Sequence, residues 1–276
     1  MVNKVETSDR RAALQRALVA SAERIIGERG YQALRARDLA LEVGCALGAI
    51  YNVFPVLDAL VLAVKARTLD ALDAAIAERF AAIDAPADLE PRSAIEAAAQ
   101  RLQGLAQTYL AFASAHPKQW QALFEHRGLD AAVPKAYMEQ LEGIFGHIER
   151  PLATIAPSAS PAERRLFARA LFSAVHGIVT LGLDEKLGAL PKDLLAWQVH
   201  ALVRAATLGL ADHPELAAQT SAPAAMAVST GPSPGSPLRS PDHNPYYHYY
   251  RYHSAGTHKY RLSIPRLLSY NYWWAC

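Results

Sequence analysis

The chain has 276 residues, 51% of them hydrophobic, with 28 Lys and Arg against 26 Asp and Glu. That length fits one large helical domain or a small domain fused to a larger one, and a formal net charge of +2 excludes a protein-wide basic field. Two cysteines, Cys45 and Cys276, show no metal-ligand spacing and exclude a disulfide framework, which predicts a reducing compartment.

The distribution of charge says more than its total. Residues 1–67 carry ten Lys or Arg against seven acids, residues 68–216 thirteen against eighteen, and residues 217–276 five against one. A basic front fits DNA contact. The polar start from Met1 to Arg11 predicts no secretory signal, and no apolar run is expected to reach the roughly 18 residues of a membrane span. The expectation is a soluble, cytoplasmic protein with no membrane partner.

Residues 9–215 read as helix after helix. Leu14, Leu18, Ser21 and Ile25 recur at helical spacing until Gly30. Short segments follow from Arg37 to Val43, broken by Gly44, and from Leu47 to Val53, ended by Phe54 and Pro55. A long amphipathic stretch then lines up Leu57, Leu60, Val61, Val64, Leu72, Ile76 and Phe80. The loop from Asp84 to Pro91 leads to a helix over 93–115, and Pro117, Pro134 and Pro151 punctuate shorter helices over 117–126 and 134–149. Helix 161–183 has a start with a mechanism: Ser160 caps the free amides, Pro161 takes the first position and Glu163 reaches back. The last helix spans 191–210, which makes nine helices and no strand.

Past Glu215 the composition changes. Residues 217–241 are mostly Ala, Pro, Ser, Thr and Gly, and residues 242–276 hold eight of the twelve tyrosines and four of the ten histidines. Neither stretch has a period. Residues 216–276 are expected to form a disordered, low-complexity tail.

The functional signal lies between Gly30 and Phe54. A helix-turn-helix needs two short helices held at a steep angle by a tight turn. Gly44 supplies the turn, and Leu39, Ala40, Val43, Ile50 and Phe54 supply a small core. The outward face of the second helix, with Ala46 at its start, then holds Leu47, Gly48, Ala49, Tyr51 and Asn52. In the major groove Asn52 can read a base edge, Tyr51 can reach a phosphate, and Gly48 removes bulk. Arg35 and Arg37, at the start of the preceding helix, are placed to hold phosphates.

This window resembles the TetR/AcrR family of bacterial regulators. The pattern Gly-x-(Ile or Leu)-Tyr-x-x-Phe stands here as Gly48-Ala49-Ile50-Tyr51-Asn52-Val53-Phe54, with Leu60 beyond it. The motif covers residues 10–65, and helix number and length extend the likeness over 66–212. The second half is similar to a TetR subgroup with a Trp, His and Gly signature, matched by Trp120 and His176-Gly177. Two positions depart from the family pattern. Ala46 stands where Ser or Thr usually caps the recognition helix, and Leu57 where a Lys often grips phosphate. Both predict weaker non-specific affinity.

The resemblance implies an all-α, nine-helix TetR-like fold: a three-helix helix-turn-helix DNA-binding domain at 9–55 and a helical-bundle ligand-binding and dimerisation domain at 56–215. It further implies that a small apolar or amphipathic effector enters between helices and re-spaces two DNA-reading heads. Candidate lining residues are Tyr109, Phe112, Trp120, Phe124, Tyr137, Phe145, Phe172 and His176. Aromatics at helical spacing serve a core as readily as a cavity, and His176 fits either an effector contact or a satisfied core histidine. Helices 161–183 and 191–210 carry apolar residues on more than one face, among them Leu166, Phe167, Leu194 and Leu202. They are internal, or they form a four-helix homodimer interface, the arrangement a palindromic operator requires.

The resulting expectation is a homodimeric repressor of double-stranded DNA, with no cofactor, no metal and no catalytic residue. An enzyme built on a bundle would need a phosphate loop, a His-Glu-x-x-His or a nucleophile elbow, and none occurs. A helical interaction protein that has lost DNA binding is the other alternative. In the tail, His243, His248, His253 and His258 recur every five residues. Metal binding or stacking on nucleic acid is conceivable there, beside a plain unfolded extension.

Overall fold

The computed structural model describes residues 2–81, 90–125, 133–184, 188 and 190–213; the tail expected at 216–276, with its histidines, lies outside them. The described residues are all-α. In order come α1 (Val2–Arg29), a 3-10 turn (Tyr31–Ala33), α2 (Ala36–Val43), α3 (Leu47–Val53), α4 (Leu57–Ala81), α5 (Pro91–Ala115), α6 (Pro117–Glu125), α7 (Lys135–Ile155), α8 (Pro161–Gly182) and α9 (Lys192–Asp212).

Two helices depart from the sequence expectation. First, α1 begins at Val2 instead of near residue 9. Second, α7 runs through Pro151 to Ile155. Proline removes one backbone hydrogen bond and usually ends a helix. Here Ile148, Leu152 and Ile155 are buried on one face across that point, and their burial offsets the lost bond. The start of α8 follows its sequence signature: the Ser160 hydroxyl accepts from the Glu163 amide at 3.3 Å, and the Ser160 amide donates to the Glu163 carboxylate at 2.7 Å.

Apolar side chains gather in two main clusters. The first joins Leu18, Ile25 and Ile26 of α1 to Leu39, Ile50 and Leu60 from α2, α3 and α4. The second is larger and is built mainly from α5, α7, α8 and α9. Two helices serve both. Along α4, Leu60, Val61 and Val64 enter the first cluster, whereas Leu72 and Ile76, further on, enter the second. Along α6, Trp120 belongs to the second and Ala122 to the first.

Gly44 closes α2 in the left-handed region at φ 72°, where a side chain would be strained. The chain therefore reverses there and sets α3 against α2. Exposed ion pairs brace the arrangement, Arg24–Glu42 between α1 and α2 at 2.5 Å and Arg67–Glu23 between α4 and α1 at 2.8 Å.

The expectation that no stretch is long and apolar enough to span a membrane needs correction. Among the described residues, Lys192–Asp212 reaches that length and composition. One face of this helix packs inside the protein, where Leu195, Val199, Val203 and Leu210 are buried in the second cluster, while Leu194 and Trp197 stand exposed.

Candidate functional site

The first candidate surface is the outer face of α3. Ile50 is fully buried and anchors the helix, so the residues on the opposite face must point outward. Leu47 is 39% exposed and Tyr51 46% exposed. Gly48 and Asn52 are exposed beside them, with Ala49 at the edge. A Cβ built on Gly48 would meet nothing within 4 Å, so the face is open at its first turn. Ala46 sits in the N-cap position with extended backbone and no side-chain cap.

The two arginines expected to hold phosphates differ. Arg35 is the N-cap residue of α2. Its Nη1 donates to the carbonyls of Gln32 at 2.6 Å and Leu34 at 2.9 Å, so part of its guanidinium braces the turn before α2. Arg37, in the first turn of α2, is exposed.

The second candidate site, which we call the aromatic chamber, is a packed set of rings in the larger cluster. Four rings converge on the His176 imidazole. Phe124 lies 4.2 Å away between centroids, Trp120 5.4 Å, Phe172 5.6 Å in a stacked pose, and Tyr109 6.3 Å. Phe145 meets Phe172 edge-on at 5.4 Å. Through these rings runs a polar relay. The Trp120 indole N–H donates to the Tyr109 hydroxyl oxygen at 2.8 Å, Tyr109 Oη stands 2.7 Å from His176 Nδ1, and His176 Nε2 stands 3.3 Å from Thr180 Oγ1.

Burial fixes the charge state and the direction of this relay. It pushes the His176 imidazolium pKa down to about 4 and lifts the Tyr109 phenol well above its ordinary range. The imidazole is neutral near pH 7, with one donor and one acceptor nitrogen. Tyr109 already accepts from Trp120, and leaving its own hydrogen unbonded at this depth is costly. It therefore donates to Nδ1. The Nε2–H donates in turn to Thr180, which is half-buried and free to turn its hydroxyl hydrogen.

Two other expected lining residues lie elsewhere. Phe112 is buried, but its ring meets His116 at 4.9 Å. Tyr137 belongs to a small separate cluster with Leu69 and Leu123 that Phe124 also touches. Its hydroxyl is buried with no hydrogen-bond partner among the described residues. The ammonium of Lys65, itself buried and lowered to about 8 by desolvation, stands 5.8 Å from the Tyr137 ring centroid.

Known proteins bear on both sites. Residues 18–64 match the model of "Bacterial regulatory proteins, tetR family", and residues 102–206 match "Tetracyclin repressor-like, C-terminal domain". The chain belongs to the TetR family of bacterial regulators. Among solved structures, a protein of unknown function from Rhodococcus sp. RHA1 superposes with a TM-score of 0.54 at 24% identity, over 70% of this chain and 94% of its own. A tetR-family transcriptional regulator from Streptomyces coelicolor superposes with a TM-score of 0.50 at 18% identity, over 75% and 87%. Comparison by sequence with curated proteins finds no match.

As a TetR-family member the protein is a DNA-binding transcription regulator and not an enzyme. The N-terminal match contains α2 and α3, and the C-terminal match contains the whole relay from Tyr109 to Thr180. Sequence reasoning missed Thr180 and Lys65. Thr180 was visible as a polar residue one helical turn after His176. Lys65 gave no signal, because a lone lysine on an apolar helix usually extends to solvent. An open cleft of about 420 Å³ between α5 and α9 includes Gln107, Ser114, Lys192 and Asp193 in its lining, and none of the expected effector residues reaches it.

Proposed function

We propose that this TetR-family regulator is a homodimeric repressor, released from a palindromic operator when a small apolar or amphipathic molecule binds in the aromatic chamber. Residues 9–55 act as the DNA-binding domain, with Leu47, Gly48, Tyr51 and Asn52 toward the groove and Arg37 on phosphate. Residues 56–215 sense the effector and dimerise. The observation that carries this reading is the double membership of α6. Trp120 donates into the relay and touches His176, while Ala122, two residues on, is packed in the core of the DNA-reading head. An effector that displaces the Trp120 ring must shift a nine-residue helix whose other face supports α1 and α4.

The effector need only prefer the shifted state. Its differential affinity sets how far the equilibrium moves. Recognition helices of a dimer must match half-sites about one helical turn apart, or a multiple, so a small rotation of each head lowers affinity. Dimerisation through α8 and α9 is supported by the large apolar groups they leave exposed: Leu166, Leu181, Leu194 and Trp197. The meeting of Trp120 and His176 likewise supports placing the chain in the subgroup with the Trp, His and Gly signature.

The test is a binding selection with the purified full chain against fragments of its own genome, including those that flank its gene. Recovery of a palindrome bound by a dimer, and release by small aromatic compounds, is the expected result. Recovery of nothing even at low salt would overturn the repressor reading in favour of a helical interaction protein.

A further inference from the structure

From Asp38 to Val64 the chain contains no Lys and no Arg, and the next cation, Lys65, is buried. Within α3 itself there is no charged residue of either sign. The absence is informative because base pairs in the major groove demand different side chains. Guanine is read chiefly by Arg or Lys on O6 and N7, and the cytosine amino group by Asp or Glu. Adenine is read by Asn or Gln on N6 and N7, and the thymine methyl by apolar groups such as Ala. The outward residues of α3 are Leu47, Gly48, Tyr51 and Asn52, with Ala49 half-exposed at their edge. They lack every charged reader of a G·C pair and include the readers of both partners of an A·T pair.

We propose that the half-site core under α3 is built of A·T pairs, with thymine methyls against Leu47 and Ala49 and an adenine edge against Asn52. This rests on α3 being the element that enters the groove. The open space over Gly48 lets the first turn approach closely enough for apolar contact. Arg37 does not restore a guanine reader, because the first helix of a helix-turn-helix crosses the backbone, where its charge meets phosphate.

The experiment selects binding sites for the full chain from a random-sequence duplex library, then measures affinity for the selected site and for a copy with uracil replacing each half-site thymine. The expected result is an A·T core, a several-fold loss on removing the thymine methyls, and relaxed preference at one A·T position in Asn52→Ala. An adenine edge read by Asn is worth roughly tenfold or more in discrimination. Uracil substitution leaves the protein untouched, so a misfolded variant cannot imitate the effect. Enrichment of a G·C core, or equal affinity for thymine and uracil sites, would overturn this inference while DNA binding stands. No enrichment at any salt would overturn the DNA-binding reading and the inference with it.

Discussion

The DNA-reading head and the aromatic chamber place their functional groups in opposite ways. In the head, the buried side chains of α1 to α4 are almost wholly aliphatic, and the groups that would touch a partner stand outside on α3. In the chamber, the groups that would touch an effector are themselves part of the core: Tyr109 and Trp120 are buried and hydrogen-bonded to one another. Function and stability are therefore separable in the head and coupled in the chamber. Mutations test this contrast directly.

The largest effect should come from Ile50→Ala. Ile50 is fully buried, and such truncations cost about 2–5 kcal/mol. If the two clusters melt together through α4 and α6, thermal unfolding monitored by circular dichroism will stay a single transition at lower temperature. A split into two transitions would mean that the shared helices do not couple head and body.

Tyr109→Phe should follow. Removing one hydroxyl leaves the Trp120 indole N–H and the His176 Nδ1 without their partner, at about 1–3 kcal/mol for buried groups left unsatisfied. The Trp120 emission should change as well. Denaturant melts showing no loss of stability would mean the relay is incidental to the packing of the rings.

The same relay sets a pH dependence. The unfolded histidine takes a proton near pH 6.5, whereas the folded His176 resists one until about pH 4. A folded pKa below the unfolded one gives stability that is complete above about pH 6.5 and is lost as pH falls from there toward 4. The loss is about 1–3 kcal/mol, reduced by whatever solvent reaches the ring. His176→Phe should flatten that part of the profile. Equal acid sensitivity in both proteins would place the titration in other groups.

These two regions were also unequally legible in the sequence. The head was read nearly residue by residue, because short-range patterns fix it: Gly44 takes a positive φ, and burial alternates around α3 as its apolar positions require. In the chamber the candidate residue types were legible, but not their convergence. Tyr109 and His176 are 67 positions apart and meet only through the packing of α5 on α8, and Phe112 diverges although it lies three residues from Tyr109. Pro151 misled for a related reason, since a local helix-breaking rule yields to the burial of Ile148, Leu152 and Ile155. Local chemistry is written in the order of residues, but tertiary meeting points are not.

On the head side, Tyr51→Ala should lower operator affinity about tenfold, the value of one good contact, with stability changed by no more than about 0.5 kcal/mol as expected for an exposed site. Gel-shift titration and a thermal melt of the same sample measure both quantities. A large stability loss would show that even this face is structural, and the contrast with the chamber would fail.

The smallest effect concerns the start of α3. Ala46 occupies an N-cap position with φ −67° and ψ 144° and offers no side-chain acceptor. The Ala49 amide already donates to the Ala46 carbonyl at 2.9 Å, while a hydroxyl at position 46 could accept from Gly48 or Ala49. Ala46→Ser should therefore stabilise by about 0.5–1 kcal/mol. In a helix of seven residues, less fraying means a better-ordered reading face, so operator affinity should rise by a few-fold at most. If stability rises and affinity does not, order in the first turn of α3 does not limit DNA reading. The missing phosphate contacts between Asp38 and Val64 would then set the affinity, and lowering the salt should strengthen binding less steeply than in a head with more cations.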